Sequence, residues 1–174
     1  EAKLEDNPTA DSYWYTDPKS QKVPYSEGVF VGYRGFDKRH VAPLFPFGFG
    51  LSYTQFEYSD LKVIPTTTPG HYKVSVRVKN GGPITGADVV QLYVQDPTAQ
   101  EENASQELKA FARVSLRPHE SKTVELELDA RSFTHYNVTT HMWQAQAGKR
   151  SIRVGSSEKN LPLQQSIDLP QLTK

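Results

Sequence analysis

Two carboxylates, Glu27 and Asp37, lie in one aromatic and glycine-rich stretch near the start of the chain. A pair of carboxyl groups can hydrolyse a glycosidic bond, with retention at a separation of about 5 Å and with inversion at about 6.5–9.5 Å. An extended backbone would hold these two roughly 30 Å apart, and only a reversal around Gly32 or Gly35 would bring them together. The sequence therefore favours a structural role, such as an ion pair with Arg34, Lys38 or Arg39.

Metal and nucleophile chemistry have less support in the sequence. The histidines occupy separate positions without an HExxH motif or a carboxylate cluster: His40, His71, His119, His135 and His141. We therefore predict solvent-facing histidines and no metal site. Cysteine is absent, which excludes disulfides and thiolate catalysis, and no Gly-x-Ser-x-Gly elbow is present.

The glycines of Gly48-Phe49-Gly50 do not form a nucleotide-binding loop, because the third glycine and a following helix are missing. We predict no cofactor. We expect these glycines to let the backbone turn tightly while the surrounding aromatic side chains pack down: Phe45, Phe47, Phe49 and Tyr53.

Tyr13, Trp14 and Tyr15 are the strongest candidates for contact with a ligand. Exposed aromatic rings stack on sugars or on lignin-like aromatics, because both offer broad apolar faces. The alternative is that the three rings pack against other domains, and the sequence favours this alternative.

Composition excludes several classes of partner. The 174 residues carry 20 basic and 20 acidic side chains, so the net charge is zero and a nucleic-acid binder is not indicated. No apolar run approaches the roughly 18 residues of a membrane span. The polar start has no signal-peptide pattern, so we expect a mature form, a fragment or a chain whose leader was removed. The N-glycosylation sequons at Asn103 and Asn137 favour a secreted, extracellular protein.

The chain from Tyr72 onward is typical of antiparallel strands. Residues 72–79 alternate strictly between apolar and polar, and Asn80-Gly81-Gly82-Pro83 then predicts a turn. Residues 56–63 are a plausible opening strand. Further runs contain Val90, Leu92 and Val94; Val114 and Leu116; Val124, Leu126 and Leu128; Trp143, Ala145 and Ala147; and Ile152 and Val154. About seven strands with regular turns predict a mainly β, immunoglobulin-like antiparallel sandwich.

Residues 1–55 differ from this pattern. Asn7-Pro8, Asp17-Pro18 and Val23-Pro24 interrupt them, and no strand or helix of normal length fits between the breaks. We therefore predict an irregular, aromatic-rich N-terminal extension that lies against something larger.

Several segments closely resemble the C-terminal signature of glycoside hydrolase family 3 β-glucosidases, especially fungal ones. They are residues 25–34 (YSEGVFVGYR), 46–54 (PFGFGLSYT), 86–94 (GADVVQLYV), 106–111 (QELKAF) and 154–157 (VGSS), in the order and spacing of the family. Two positions depart from it. Ala110 replaces a frequent glycine, and His135-Tyr136-Asn137 stands where Tyr-Trp-Asp is common.

Enzymes of that family consist of a TIM-like barrel, an α/β sandwich domain and a fibronectin type III-like domain. The resemblance implies that residues 1–55 are the tail of the α/β sandwich domain with a linker, and that residues 56–170 form the fibronectin type III-like β-sandwich. The family's aspartate nucleophile and glutamate acid/base lie upstream of the matched segments. The resemblance therefore assigns no catalytic residue to this chain.

The leading hypothesis is a non-catalytic accessory part of a secreted β-glucosidase that buttresses the catalytic domains of its parent enzyme. One alternative is an independent module that adsorbs to plant cell-wall polymers such as cellulose or lignin, and another is a cell-surface adhesion module. The leading hypothesis predicts that residues 25–53, without partner domains, expose an apolar patch, are mobile or pair with another copy.

Overall fold

The computed structural model describes residues 3–10, 19–23, 25–97, 99 and 103–173. The protein is mainly β, as predicted. Its strands are β1 (Phe56–Pro65), β2 (Tyr72–Asn80), β3 (Gly86–Gln95), β4 (Gln106–Leu116), β5 (Ser121–Leu128), β6 (His135–Asn137), β7 (Met142–Ala145), β8 (Gly148–Gly155), β9 (Leu163–Leu169) and β10 (Leu172–Thr173). The helices whose bounds lie within the described residues are the seven-residue α1 (Tyr33–Arg39) and two short 3-10 helices, Leu4–Asp6 and Ala130–Ser132.

Two antiparallel sheets form the sandwich. One has the strand order β1-β2-β5 and the other has the order β4-β3-β8-β9. Strict alternation in β2 places Val74 opposite Leu126 and Val76 opposite Val124, and all four side chains point into the core. From the other sheet, Leu92, Leu116, Ile152 and Val154 meet them and are fully buried. The predicted fold class is therefore confirmed.

The strand expectations differ from the structure in the last third of the chain. Trp143 and Ala145 lie in β7, but Ala147 lies outside it, and β7 belongs to a separate small sheet of order β10-β7-β6. The sequence reading missed β6, β9 and β10. The departing segment His135-Tyr136-Asn137 forms β6.

β9 closes the sandwich in an unusual way. Gln165 occupies a position that faces β1. Its side-chain amide bonds to the β1 backbone, as the backbone of a neighbouring strand would. Its Oε1 accepts from the Val63 backbone N–H at 3.1 Å, and its Nε2 donates to the Val63 carbonyl at 3.2 Å. The amide thus satisfies both backbone groups of a residue at the outer edge of β1.

β3 is buried on both faces. Val90, Leu92 and Val94 face the core, while Gln91 and Tyr93 on the opposite face are also buried. One face of a sandwich sheet is normally solvated, so something must cover the outer side of β3. β4 carries a bulge at this level, where Lys109 is skipped between the pairs Leu92–Ala110 and Tyr93–Leu108.

None of the helices in the described part of the chain has the length and apolar composition that a membrane span requires.

Candidate interaction surface

The cover over β3 is the stretch of residues 25–53, which we call the strap. It lies on the outer face of the β4-β3-β8-β9 sheet. The Tyr33 ring meets the Tyr93 ring edge to face at 5.8 Å, and the Glu158 backbone N–H donates to the Phe47 carbonyl at 2.9 Å. The strap therefore explains why Tyr93 is buried on what would otherwise be a solvated face.

Helix α1 depends on its surroundings. It begins after Gly32 (φ 57°) and ends at His40, which adopts the left-handed conformation. Seven residues are too few for a stable isolated helix. A Cβ at Gly35 would come within 2.2 Å of the Phe30 carbonyl oxygen and 2.4 Å of the Pro8 side chain, so only glycine permits this close approach. Arg39 donates to the carbonyl of Asp6 at 2.9 Å and joins α1 to the start of the chain.

Three polar contacts fasten α1 to the sandwich. The Leu108 backbone N–H donates to Tyr33 Oη at 2.9 Å, and Arg34 Nη1 lies 3.0 Å from Glu107 Oε1. Asp37 forms an ion pair with Lys159, which is 122 positions away in the sequence. Sequence reasoning missed these partners, because nothing in the local patterns links residues so far apart.

The charge of Glu107 is well compensated. Burial acts to raise its pKa, but the hydrogen bonds and positive charges of Lys109 and Arg34 outweigh burial, so the pKa lies below its ordinary value. Lys109 Nζ lies 2.8 Å from Glu107 Oε2. Glu107 is therefore a docking anion and not a proton donor near neutral pH.

A tight turn at Gly48 brings the second half of the strap onto β3. Gly48 has φ 86°, and a Cβ there would lie 1.9 Å from Gln91 Nε2. Gln91 is held in place by donating to the Ser156 carbonyl at 3.0 Å and accepting from Tyr93 Oη at 2.7 Å. The expected glycine turn is present, and its glycine is required for contact as well as for conformation.

The aromatic side chains around this turn point outward. The exposed fractions are 69% for Phe45, 54% for Phe47, 49% for Phe49 and 95% for Tyr53, so the expectation that these four pack down is wrong. The strap contacts the sheet through the Tyr33 ring and through backbone and polar groups, while several of its large apolar side chains stay exposed. Leu44, Leu51 and Tyr25 are also exposed, in agreement with the predicted apolar surface.

The sandwich extends this apolar surface. Phe111 of β4 lies directly opposite Gln91, the residue on which the Gly48 turn rests, and it is 69% exposed. The ring pair Phe45–Phe49, with centroids 5.2 Å apart, stands on the same turn. Strap and sandwich together thus expose several large apolar side chains. We call this set the aromatic face: Leu44, Phe45, Phe47, Phe49, Leu51, Tyr53 and Phe111.

The two carboxylates that opened the sequence argument do not form a catalytic pair. Asp37 pairs with Lys159 and not with Arg34, Lys38 or Arg39, so the expected partner was wrong. Arg34 pairs with Glu107, and Lys38 Nζ lies 3.7 Å above the Phe30 ring. Glu27 is half-buried in the turn before α1, where its carbonyl accepts from the Phe30 N–H.

Asp37 does come close to another carboxylate, Glu158. Lys159 Nζ contacts both side chains, so the two carboxyl groups lie close together. The lysine ammonium fills the space between them, and Glu158 is only 3% exposed. No sugar ring fits between these carboxyl groups.

A cavity of about 450 Å³ lies beside the strap between β4 and the β6–β7 hairpin. Its carboxylates are both neutralised, because Glu107 contacts Arg34 and Lys109 while Asp96 lies 2.9 Å from Arg150. Trp143 contacts two neighbours. The Arg131 guanidinium carbon lies 3.2 Å from its ring centroid, and the centroid of the Tyr136 ring lies 5.3 Å away. Both carboxylates of the cavity are thus ion-paired, and its Trp143 ring is already in contact with two neighbours.

Other predicted sites show no assembled chemistry. His40, His119, His135 and His141 are exposed as expected, whereas His71 is half-buried. Within the described ranges, no group of histidine and carboxylate side chains is arranged to hold a metal ion. Tyr13, Trp14 and Tyr15 lie outside the described residues.

The two sequons lie on the surface loops. Asn103 is half-buried at the rim of the 450 Å³ cavity. Asn137 is also half-buried, and its Oδ1 accepts from the backbone N–H groups of Thr139 and Thr140 in the β6–β7 turn. Their glycosylation stays a prediction.

Comparison with known proteins gives a consistent result. Residues 88–158 match the fibronectin type III-like domain. The chain is 41% identical over 174 residues to thermostable β-glucosidase B of Acetivibrio thermocellus, a match that covers 99% of the chain and 23% of that protein. It is 40% identical to β-glucosidase B of Emericella nidulans, over 84% of the chain and 18% of that protein.

Solved structures agree with these matches. The GH3 β-glucosidase of Bifidobacterium adolescentis superposes with a TM-score of 0.89 at 32% identity, over 96% of this chain and 24% of that one. The chain thus spans a quarter or less of the length of these relatives. They come from both bacteria and fungi and do not decide its origin.

Proposed function

Because the chain is homologous over nearly its whole length to a part of glycoside hydrolase family 3 β-glucosidases, we propose that it is the C-terminal, non-catalytic part of such an enzyme. Its role is to support the catalytic domains. The parent enzyme would release glucose from the non-reducing end of β-glucosides such as cello-oligosaccharides, with retention and without a cofactor. The sequons Asn103 and Asn137 support secretion and a part in the extracellular breakdown of cellulose.

The aromatic face carries this proposal. Phe45, Phe49 and Tyr53 are each about half exposed or more, the Phe45 and Phe49 rings lie against each other, and exposed apolar surface of this kind marks interaction sites. The strap that bears them is fixed to the sandwich by several polar contacts, so the rings are held in position for a partner. In this proposal, the partner surface belongs to the catalytic domains of the parent enzyme.

A chimera tests the supporting role. The region of the Acetivibrio thermocellus enzyme that matches this chain is replaced by the 174 residues, and activity on an aryl β-glucoside and the thermal midpoint are measured. We expect an active chimera, and we expect Phe45→Ser with Phe49→Ser to lower its midpoint by several degrees. Glu125→Gln on the outer face of β5 serves as the matched surface control. An unchanged midpoint in the double variant would contradict the proposal.

The chain alone gives a second, independent test. We expect no turnover of the aryl β-glucoside, because Asp37, Glu107 and Glu158 each contact lysine or arginine and are not arranged around a space for a sugar. Turnover that Asp37→Asn, Glu27→Gln or Glu158→Gln abolishes would place the chemistry in this chain and overturn the proposal.

The exposed rings also favour a second candidate, a module that adsorbs to plant cell-wall polymers. The Phe45–Phe49 pair and Tyr53 offer apolar ring faces of the kind that stack on sugars or lignin. Pull-down of the chain on cellulose, xylan and lignin separates the two candidates. Retention that the Phe45→Ser and Phe49→Ser double variant abolishes supports adsorption, and no retention on any polymer removes it.

A further inference from the structure

The turn between β8 and β9 places a buried carboxyl group under the strap. Glu158 is 3% exposed, and its backbone N–H bonds to the Phe47 carbonyl of the strap. Its Oε1 lies 2.9 Å from Lys159 Nζ and accepts weakly from Gln106 Nε2 at 3.4 Å. Its Oε2 is buried and has no hydrogen-bond partner within the part of the chain that the structure describes. The ionised form of Glu158 is therefore poorly accommodated.

One ammonium serves two carboxylates at this point. Lys159 pairs with Glu158 and also with Asp37 of α1. Although burial acts to lower it, the two carboxylates raise the pKa of Lys159, so the ammonium persists. With all three groups ionised, the cluster carries one net negative charge. Protonation of one carboxyl group leaves a single carboxylate opposite a single ammonium.

The other groups that face Glu158 do not compensate this net negative charge. Arg153 of β8 donates to Gln106 Oε1 at 2.6 Å, so Gln106 stands between the guanidinium and Glu158. Burial raises the pKa of both Tyr93 of β3 and Tyr33 of α1, which keeps the two phenols neutral. The net charge around Glu158 is therefore set by Asp37, Glu158 and Lys159.

Glu158 is the carboxyl group that takes the proton. Burial raises its pKa, the Asp37 charge raises it further, and the opposing effect of Lys159 is too small to restore the ordinary value of 4.5. Only 2% of the Glu158 side chain is exposed, against 18% for Asp37. Water therefore stabilises the charge of Asp37 and not that of Glu158.

We propose that Glu158 is a proton-controlled latch: protonated, it holds α1 and the Phe47 turn firmly on the sandwich, and ionised, it loosens them. Lifting the strap would hydrate Glu158 and remove Asp37, which returns the carboxyl group to ordinary behaviour. A group that binds its proton more tightly in the docked state takes up a proton on docking. Docking therefore strengthens as the pH falls through the docked-state pKa and weakens as the pH rises above it.

Native-state hydrogen exchange of the 174-residue chain tests the latch, and the result does not depend on the proposed function. The readout is the protection factor of the α1 amides of Gly35 and Phe36, which donate to the Gly32 carbonyl. As the pH falls from 8 to about 4.5 we expect this protection to rise, by at most about tenfold for each unit of pKa difference between the docked and undocked states. Amides of β2 and β3 report global stability in the same spectra.

Two substitutions test whether Glu158 is the group that causes this pH dependence. Glu158→Gln should keep α1 protected at every pH and abolish the slope, because the neutral amide mimics the protonated acid. Glu125→Gln, an exposed carboxylate on β5, should retain the slope of the unmodified chain. A flat or falling protection in the unmodified chain, or an unchanged slope in Glu158→Gln, would overturn the latch.

A direct titration covers the case in which Glu158→Gln does not fold. Carboxyl carbon chemical shifts report the pKa of Glu158 in the unmodified chain and in Asp37→Asn. We expect a value above 4.5 that falls when the Asp37 charge is removed. A value at or below 4.5 in the unmodified chain contradicts the proposal.

Discussion

The sandwich buries its apolar side chains between its two sheets, whereas the strap leaves several of its apolar side chains exposed to solvent. The sandwich encloses residues such as Val76 and Leu92 between two sheets and turns its polar side chains outward. The strap turns Tyr33, Arg34 and Asp37 toward the sheet and turns Phe45 and Tyr53 outward. The sandwich can therefore bury its core by itself, whereas the strap takes its shape from the sheet below and leaves several apolar side chains exposed.

The prediction with the largest expected effect compares the same substitution, leucine to alanine, in the sandwich and in the strap. Leu92→Ala in the sandwich removes a fully buried side chain and should lower the free energy of unfolding by about 3 kcal/mol. Leu51→Ala in the strap removes a side chain that is 93% exposed and should change it by less than about 0.5 kcal/mol. Urea unfolding measures both. Equal losses would show that the two regions share one core.

A second substitution tests the seam between the regions. Asn80 is fully buried, and its side chain accepts from Thr54 Oγ1 and from the Gly82 N–H and donates to the Ile84 carbonyl at 2.8 Å. Asn80→Ala leaves these groups without partners and should cost about 2 kcal/mol. Asn137→Ala, in a turn open to water, is the control and should cost less than about 1 kcal/mol. A cost at Asn80 no larger than that of the control would refute the role of this network.

A third substitution separates strap docking from global stability. Tyr33→Phe removes the acceptor of the Leu108 N–H and should weaken docking by about 1 kcal/mol, or about fivefold in the protection of α1 amides. Tyr25→Phe, whose ring is 78% exposed, should leave this protection unchanged. Hydrogen exchange gives the answer. If Tyr33→Phe weakens β2 and α1 equally, the strap is not a separate unit.

The smallest expected effect is a pH dependence at Glu107. Its pKa is lower in the folded protein than its ordinary value, so it contributes stability above about pH 4.5 that is lost as the pH falls through the lowered pKa. The protection of α1 should therefore decrease severalfold between pH 5 and pH 3, and Glu107→Gln should flatten this decrease. Retention of the full decrease in Glu107→Gln would assign it to another group. Because Glu158 acts with the opposite sign, docking should be strongest in mildly acidic solution.

The sandwich could be predicted because its strands follow a simple period. The alternation of residues 72–79 marked β2 to within a residue, and the signature segments identified the relationship to family 3 β-glucosidases that the comparisons confirm. β9 was missed because Gln165 stands where an apolar inward residue was expected. Its amide bonds to the backbone of β1, which hydropathy patterns do not register.

The strap could be predicted only in part. Its composition indicated a segment shaped by neighbours, but α1 has no apolar stripe and contains Gly35, so local propensity argued against a helix. The contacts that fix it, such as Tyr33 with Leu108 and Asp37 with Lys159, join residues that are distant in sequence. The exposure of the aromatic rings follows from these contacts and could not be predicted from the sequence. The division at residue 55 into two domains stays a prediction.

The amide clamp of Gln165 on Val63 has a consequence for solubility. An outermost strand with free backbone groups is a template on which another chain can add a strand, and such additions start aggregation. By occupying both the N–H and the carbonyl of Val63, Gln165 interrupts that template toward the end of β1. This part of the β1 edge is therefore less able to accept a strand from another chain.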